Sequence, residues 1–302
     1  MLAIVIPYYK HEFFEATLQS LAKQSDKRFK VYVGNDAAPL NPEKIIELYT
    51  KQLDISFHTF EDNLGTESLT RQWDRCIALT NNEPWIMVLC DDDILSDNVV
   101  ASFYENLKDI ENDGVQVIKF ASQIIDAKGG FISERFTQPK LQEYGDVFYK
   151  RFFEKSRSSL SEHVFTRKAY NKHGFRDIPL AWHADDWAWL DFSEFGKVYT
   201  INDASVYFRD SEMNISRKSY LSEEKRLLQY QFYKSITYCY LEKFKSEHQL
   251  AVLKRFEYLT YSLKKNNFSF WKHFLPLKYK YEGLKEALKF TRRIYLNRKK
   301  AG

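Results

Sequence analysis

The chain carries at residues 85–93 the sequence WIMVLCDDD, an apolar run that ends in three consecutive aspartates. A short apolar run bounded by polar residues predicts a buried strand. Three adjacent carboxylates repel one another, and burying them is costly unless a cation compensates their charge. Asp91, Asp92 and Asp93 therefore fit either a solvated turn after the strand or a metal site.

A metal site would favour Mg²⁺ or Mn²⁺, because these ions prefer oxygen ligands and commonly bind one or two carboxylates together with substrate phosphates. Open α/β sheets bind their ligands at the carboxyl ends of the strands, where this acidic cluster falls. The sequence contains neither a dinucleotide-binding glycine motif nor a P-loop. A phosphate at this edge is therefore expected to be held by the metal and by basic side chains.

Apolar runs and helical periodicities alternate on both sides of the acidic cluster. Residues 2–7, 30–34 and 55–60 predict strands, and residues 12–24, 42–53, 66–80 and 96–112 predict helices. This alternation predicts an α/β fold with a mostly parallel sheet flanked by helices. Since parallel strands end at one edge, the polar residues after three of them should meet the acidic cluster in one crevice.

The second half of the chain changes character. Residues 140–157 and 185–195 predict helices, and residues 198–201 and 204–208 predict two strands. From residue 222 the pattern is helical, to about residue 246 and again from about residue 249 to residue 265. We therefore expect a catalytic domain over residues 1–220 and an α-helical extension over residues 221–302.

Charge and cysteine content restrict the class of protein. The 302 residues carry a net charge of +4, but residues 277–302 hold nine Lys/Arg against two Glu, which is +7 and leaves −3 elsewhere. Because the positive charge is confined to this tail, no nucleic-acid partner is expected. The three cysteines show neither disulfide nor zinc spacing, and no signal peptide or membrane span is recognisable, which indicates a cytoplasmic protein.

The basic tail has an amphipathic helical pattern, with Leu284, Leu288 and Tyr295 on its apolar face. Phe268, Phe270, Trp271 and Phe274 come shortly before it and are expected at the same interface. Residues 268–302 fit binding to a membrane surface, which would place the protein peripherally on the inner membrane face. They fit equally well a helix docked on its own chain or on a second subunit of an oligomer.

Taken in order, the motifs of residues 1 to about 217 resemble the family 2 glycosyltransferases of the GT-A fold, of the bacterial polysaccharide type. The motifs that carry this resemblance are IVIPYY (4–9), LQSL (18–21), VGND (33–36), NLG (63–65), VLCDDDIL (88–95), GFRD (174–177) and DDW (185–187). Each motif is weak alone, but the ordered set is specific. The family's Asp-x-Asp-Asp motif has Cys90 in place of its first aspartate here.

The resemblance implies a binding site for a nucleotide-sugar donor and a metal ion. The implied donor contacts are Pro7 and Tyr8 at the base, Asp36 at the uracil N3–H, Arg71 near the nucleotide, and Asp91 with Asp92 at the ribose side. Asp93, together with Asp91, would hold Mn²⁺ or Mg²⁺ against the diphosphate. A contact from Asp36 to uracil would favour a UDP-sugar.

Asp185 and Asp186 open a predicted helix, where acids often do no more than complement the helix dipole. The resemblance implies that this pair supplies the catalytic base, with Asp186 at the base position and Asp185 in place of the family's Glu. His183 and Trp182 are weaker candidates for a contact with the acceptor.

The loop after the last predicted strand carries Arg209 and Arg217, whose planar guanidinium groups suit a diphosphate. A solvated basic loop is the alternative interpretation of the same residues.

These expectations add up to a metal-assisted, inverting glycosyltransferase. It would move a sugar from a UDP-sugar to a hydroxyl of a glycan or lipid-linked acceptor. A sugar nucleotidyltransferase is a second interpretation, although its glycine-rich N-terminal loop is absent. A non-catalytic glycan- or membrane-binding protein on a degenerate transferase fold is a third.

Overall fold

The computed structural model describes the backbone of residues 1–301 and the side chains of residues 1–295. The chain divides into two compact units, Met1–Tyr220 and a second unit that begins at Leu221. The first unit contains a mixed sheet with helices on its faces, which confirms the predicted α/β class with helices flanking a sheet.

The bounds of the first unit's strands are β1 (Leu2–Tyr8), β2 (Phe29–Asn35), β3 (Ile55–Thr59), β4 (Trp85–Val88), β5 (Ile94–Leu95), β6 (Val117–Ile125), β7 (Leu141–Glu143), β8 (His163–Thr166) and β9 (Lys197–Arg209). The bounds of its helices are α1 (Phe14–Ala22), α2 (Glu43–Tyr49), α3 (Leu69–Ile77), α4 (Val99–Asn112), α5 (Tyr144–Phe153), α6 (Arg167–His173) and α7 (Ala184–Phe192).

The strands follow the order β3-β2-β1-β4-β8-β6-β9-β5. The short strand β7 lies outside this order and pairs with β9. β1 is parallel to both β2 and β4, and β2 is parallel to β3, so these four strands form a parallel half. β8 runs antiparallel between β4 and β6, whereas β6 and β9 are parallel. The parallel half places the carboxyl ends of β1, β2 and β4 at one edge.

The centre of the parallel half is apolar on both faces. Every residue from Leu2 to Ile6 is fully buried, and β4 is buried along its whole length. Strands that are covered on both faces in this way read as continuous apolar runs rather than as alternating patterns. This is why the run at residues 85–88 is a strand, and why the polar residues that follow it lie at the sheet edge.

Three sequence-based expectations about the second half of this unit are wrong in detail. Residues 141–143 form β7 before α5 begins, so the predicted helix over 140–157 is shorter. The two strands predicted after residue 197 are one strand, β9, whose register with β6 shifts between Phe120 and Ala121. α7 ends at Phe192 because Glu194 and Phe195 take left-handed backbone angles, φ 53° and 60°.

The second unit contains helices in its described part, with bounds α8 (Ser222–Ser235), α9 (Ser246–Ser262), α10 (Phe268–Glu282) and α11 (Leu284–Ala301). A π-helical segment, Ile236–Tyr240, interrupts the helix predicted to run from 222 to 246. No helix that the structure describes is both long and apolar enough to cross a membrane.

An aromatic cluster forms the core of the second unit. Phe270 and Phe274 stack with ring centroids 4.8 Å apart and pack against Phe256 and Phe290. Both are 5% exposed or less, so they are unavailable to the membrane interface suggested for them from the sequence. Leu284, by contrast, is exposed.

Candidate active site

The acidic cluster, Asp91–Asp93, lies directly after β4 at the carboxyl edge of the parallel half of the sheet. Its three residues are almost fully buried, with exposed fractions of 4%, 3% and 1% in chain order. The Thr17 hydroxyl in α1 donates to the backbone carbonyl of Asp93 at 2.9 Å and lies 3.2 Å from that of Asp91. Helix α1 therefore fixes the backbone that carries these carboxylates.

Asp91 fixes the loop that follows β1. Its Oδ2 accepts the backbone N–H groups of Tyr9 at 2.7 Å and Lys10 at 2.6 Å. The Lys10 ammonium lies 2.5 Å from Asp92 Oδ2 and 4.0 Å from Asp91 Oδ1. Burial raises the pKa of Asp91 to about 6, although Lys10 acts to lower it. Lys10 thus compensates part of the charge of the acidic cluster.

Asp93 carries the least satisfied oxygen of the cluster. Its Oδ1 accepts the backbone N–H of Arg209 at 2.9 Å. Its Oδ2 is buried and makes no hydrogen bond of normal geometry to any described atom, although the Ser161 hydroxyl lies near the carboxyl. Burial, together with the neighbouring Asp92, raises the pKa of Asp93 to about 7. A bound cation would relieve both the lost hydration and the repulsion.

The residues present fit a divalent metal ion. Ligand atoms of Cys90, Asp92 and Asp93 all lie within 4.8 Å of one another. Asp91 was predicted as a ligand together with Asp93, but its Oδ2 is committed to the β1 loop and it falls outside this group. The carboxylates that the geometry groups are Asp93 and Asp92, and an ion bound to Asp92 would take the place of the Lys10 ammonium, which lies 2.5 Å from Asp92 Oδ2. Two carboxylates that leave room for phosphate oxygens are the ligands that Mg²⁺ and Mn²⁺ prefer.

Asp36, at the end of β2, braces the turn at Leu64–Thr66. Its two oxygens each accept a backbone N–H at 2.9 Å, from Leu64 and from Gly65, and its Oδ1 also pairs with the guanidinium of Arg75. A Cβ on Gly65 would lie only 2.5 Å from Asp36 Oδ2, so glycine is required for this close approach. The structure brings Arg75 to Asp36, whereas Arg71 is exposed one helical turn earlier.

The predicted base-pocket residues lie at the end of β1. Tyr8 is fully buried: its ring packs on Phe14 at 4.7 Å, and its hydroxyl donates to the Leu40 carbonyl at 2.7 Å. Pro7 is partly exposed, and Tyr9 is 46% exposed. The aromatic surface that this loop presents to solvent is therefore Tyr9 rather than Tyr8.

Asp186 is held in place by two cationic or donor groups. Arg151 Nε lies 2.7 Å from its Oδ1 and Arg151 Nη2 lies 3.2 Å from its Oδ2, while His183 Nδ1 lies 2.8 Å from Oδ2. Burial alone would raise the pKa of Asp186, but Arg151 and His183 outweigh it and lower that pKa. A carboxylate has about four acceptor positions, so these three contacts leave one on Oδ1.

Asp185, the neighbour of Asp186 in the first turn of α7, has the opposite electrostatic setting. It is more exposed than Asp186, which is 1% exposed. Burial of its carboxyl, followed by the repulsion of Asp186, raises the pKa of Asp185 to about 7. Two adjacent acids with pKa values driven apart are a common feature of acid–base sites. The pair is therefore ionised at Asp186 and partly protonated at Asp185 near neutral pH.

Arg209 and Arg217, predicted at the diphosphate, have different surroundings. Arg209 is 3% exposed, and its guanidinium donates to the backbone carbonyls of Asp92 at 2.9 Å and of Asp126 at 3.1 Å. Arg209 therefore fixes the backbone that carries the acidic cluster. Arg217 is exposed and pairs with Asp210.

A family model described as glycosyl transferase family 2 matches residues 3–177, which is more than half of the chain. The chain belongs to glycosyltransferase family 2. This membership decides against the sugar nucleotidyltransferase interpretation and confirms the class of enzyme predicted from the motifs. No curated protein sequence matches this glycosyltransferase.

Solved structures resemble this family 2 enzyme at low sequence identity. Residues 1–349 of S. aureus TarS in complex with UDP-GlcNAc align with a TM-score of 0.63 and 14% identity, over 93% of this chain and 80% of that chain. The UDP complex aligns at 0.60 and 16%, over 89% and 74%. A longer TarS structure aligns at 0.60 and 15%, over 91% of this chain and 47% of that one. These likenesses confirm the predicted GT-A fold.

Three basic residues that were not predicted from the sequence contact acidic residues of the candidate site in this glycosyltransferase: Arg75, Lys10 and Arg151. Arg75 follows Arg71 by four residues on α3, so its helical face was predictable once α3 was oriented. Lys10 follows the β1 motif directly, which is a local signal. Arg151 comes from α5, and no local pattern predicts that α5 packs beside α7.

Proposed function

We propose that residues 1–220 form a catalytic domain that transfers a sugar from a UDP-sugar to an acceptor hydroxyl with inversion at the anomeric carbon. The observation that supports the proposal is a short segment, residues 158–161, that contacts both acidic sites. The Ser161 hydroxyl accepts the backbone N–H of Cys90 at 3.0 Å, next to the acidic cluster. The carbonyl of Ser158 accepts from Arg151, the guanidinium that pairs with Asp186. In this proposal the acidic cluster holds the donor phosphates and Asp186 serves as the base. The UDP and UDP-GlcNAc complexes of TarS support the choice of donor.

Asp92 and Asp93 would hold the metal ion, which we propose to be Mn²⁺ or Mg²⁺. When bound, such an ion supplies positive charge against the diphosphate as that group leaves the sugar. Asp91 orients the β1 loop through two backbone N–H groups, and Arg209 fixes the backbone of Asp92 from behind. Arg217 is the exposed basic residue that remains available for the diphosphate once its pair with Asp210 opens.

Asp186 acts as the general base in this proposal. It is ionised because Arg151 and His183 stabilise its charge, and both groups also fix its orientation. The remaining acceptor position on Oδ1 takes the proton of the acceptor hydroxyl as the hydroxyl oxygen attacks the anomeric carbon. Attack from the side opposite the departing UDP gives inversion. Trp182, whose ring lies 5.7 Å from that of His183, would contact the acceptor near this base.

The acceptor is proposed to be a glycan or a lipid-linked glycan at the cytoplasmic face of a membrane. Leu284, Leu288 and Tyr295 are 61%, 60% and 58% exposed along α11, interleaved with basic residues. A helix with this pattern binds anionic membrane surfaces. Replacing the exposed Leu284, Leu288 and Tyr295 with glutamine should abolish sedimentation with anionic liposomes and leave hydrolysis of the UDP-sugar intact. This triple variant keeps Phe290 in the aromatic cluster, and unchanged sedimentation would reject the membrane contact.

The transferase proposal is tested with the full chain, Mn²⁺ and a panel of UDP-sugars and other nucleotide sugars. Release of free UDP is measured with and without acceptor glycans, and binding is measured by calorimetry. We expect one UDP-sugar to bind in a metal-dependent manner and to be consumed. Metal-dependent binding of UDP without any turnover across the panel would favour a non-catalytic binding protein instead.

A further inference from the structure

The metal-capable group at the acidic cluster includes a thiol. Cys90 is the last residue before Asp91, and its side chain falls within 4.8 Å of ligand oxygens of Asp92 and Asp93. The backbone N–H of Cys90 donates to the Ser161 hydroxyl at 3.0 Å, which fixes the peptide that carries the thiol. The sulfur is thus held next to two carboxylates on a rigid strand end.

A thiolate changes the metal preference of an oxygen site. Mg²⁺ and Mn²⁺ select carboxylates and waters, whereas Zn²⁺ and Cd²⁺ bind thiolate sulfur strongly. Zinc lies about 2.3 Å from sulfur and about 2.0 Å from a carboxylate oxygen, so two such ligands of a tetrahedral ion lie about 3.5 Å apart. The ligand atoms of Cys90, Asp92 and Asp93 all lie within 4.8 Å of one another, and they must approach one another further to bind one ion.

An independent observation shows that this site lacks a partner for one of its buried oxygens. Asp93 is 1% exposed, and its Oδ2 makes no hydrogen bond of normal geometry to any atom in the described part of the chain. A buried carboxylate oxygen without a donor is costly, and a cation satisfies it directly. The oxygen and the Cys90 sulfur belong to one ligand group, so one ion can contact both.

We propose that Cys90, Asp92 and Asp93 form a site for thiophilic divalent cations, in which Zn²⁺ or Cd²⁺ binds the Cys90 sulfur together with the two carboxylates. On binding, the sulfur–metal bond forms as the thiol proton leaves to the solvent. Such ions compete with Mn²⁺ for the acidic cluster and act as inhibitors. This inference rests on the proposed metal site, and it adds a sulfur ligand that an all-aspartate motif does not provide.

The test is titration of the metal-free full chain with Cd²⁺, monitored through the ultraviolet charge-transfer absorption of a cadmium–thiolate bond. We expect the band to saturate at one Cd²⁺ per chain in the unmodified protein. Cys90→Ser should abolish it, and Cys239→Ser, which removes an exposed thiol, should leave it unchanged. A band that is absent from the unmodified protein, or that survives Cys90→Ser, would overturn the proposal.

A second variant keeps the thiol and removes a carboxylate charge. Asp93→Asn should lower Cd²⁺ affinity by more than roughly 100-fold, because the loss of an outer-shell partner alone costs about 10–100-fold. Cadmium affinity unchanged by Asp93→Asn would show that the thiol binds alone, and would reject the three-residue site. The titration of Asp93→Asn also tests the three-residue site if Cys90→Ser fails to fold.

The outcome is separable from that of the proposed transferase function. Transfer with Mn²⁺ but no cadmium–thiolate band would reject the sulfur ligand and leave the transferase proposal standing. A saturable band that depends on Cys90 and Asp93, in a protein with no turnover of any nucleotide sugar, would support the site and reject the transferase proposal. Zn²⁺ should also suppress Mn²⁺-dependent UDP binding more in the unmodified protein than in Cys90→Ser.

Discussion

A buried ion pair behind the active site provides a quantitative test of the fold. Glu162 and Lys119 have side chains that are 0% and 1% exposed, and they contact each other directly. Glu162 Oε1 also accepts the backbone N–H of Ser159 at 2.9 Å, and Lys119 Nζ donates to the Arg157 carbonyl at 2.9 Å. The pair therefore ties β6 to the segment that carries Arg157 and Ser161 toward the acidic cluster.

The magnitude follows from the charges of the two buried partners. Burial alone would raise the pKa of Glu162, but Lys119, with Arg157, outweighs it and lowers that pKa from 4.5 to about 2. Burial lowers the pKa of Lys119, so the ammonium offsets part of the gain from the carboxylate. Removing one partner of a buried pair leaves the other charge uncompensated, which typically costs roughly 3–5 kcal/mol. Glu162→Gln should therefore lower the free energy of unfolding by about 3 kcal/mol at pH 7.

The assay is urea unfolding of the full chain followed by tryptophan fluorescence. Glu194→Gln, which removes a partner from the exposed pair with Lys172, is the matched control and should leave the midpoint nearly unchanged. Lys119→Met combined with Glu162→Leu should recover part of the loss, because the two paired charges are then removed together and only Arg157 loses a charged neighbour. Equal midpoints for Glu162→Gln and Glu194→Gln would contradict the role assigned to the buried pair.

The pH dependence of this contribution has a defined sign. Because the folded-state pKa of Glu162 is depressed, its contribution is fully present above the unfolded value near 4.5 and is lost as pH falls toward about 2. The difference in stability between the unmodified protein and Glu162→Gln should therefore shrink over this acidic range.

Four further predictions concern the active site. Asp186→Asn should stop transfer with donor binding intact. Asp185→Asn should flatten the change in activity across about pH 7, where Asp185 titrates, and an unaltered pH profile would show that Asp185 does not affect the reaction. Asp93→Asn should abolish Mn²⁺-dependent UDP binding in calorimetry, and binding at the original affinity would exclude Asp93 as a ligand. Arg75→Met should lower the free energy of unfolding by about 2 kcal/mol, because Asp36 loses a charged partner. Arg71→Met, on the exposed face of α3, should leave it unchanged. Equal losses in the two variants would contradict the pairing of Arg75 with Asp36.

The sequence predicts the parallel half of the sheet well, for a physical reason. β1 and β4 are buried on both faces, so each appears as a continuous apolar run that ends at the polar residues of the site. The second half is less predictable. β9 continues through a register shift in its pairing with β6, between Phe120 and Ala121. The extra residues of β9 at such a bulge interrupt the strand pattern, so in the sequence they look like a loop between two strands.

The site residues likewise include some whose position follows from local sequence and others whose position depends on tertiary packing. Motif order was sufficient to predict that Asp93 follows a buried strand and that Asp186 lies in the first turn of a helix, because both elements have a strong local pattern. Arg209, however, was expected at the phosphate and instead binds backbone carbonyls, since its burial depends on how β9 packs beside the acidic cluster. The partnership of Arg151 with Asp186 depends likewise on tertiary packing between α5 and α7.

Diffraction from crystals soaked with Mn²⁺ and UDP would show whether the acidic cluster binds the donor diphosphate through a metal ion. We expect an anomalous manganese peak within bonding distance of Asp93 and Asp92, bridged to the UDP diphosphate at the carboxyl edge of β4. Bound UDP whose diphosphate lies away from these carboxylates, with no manganese peak beside them, would contradict it.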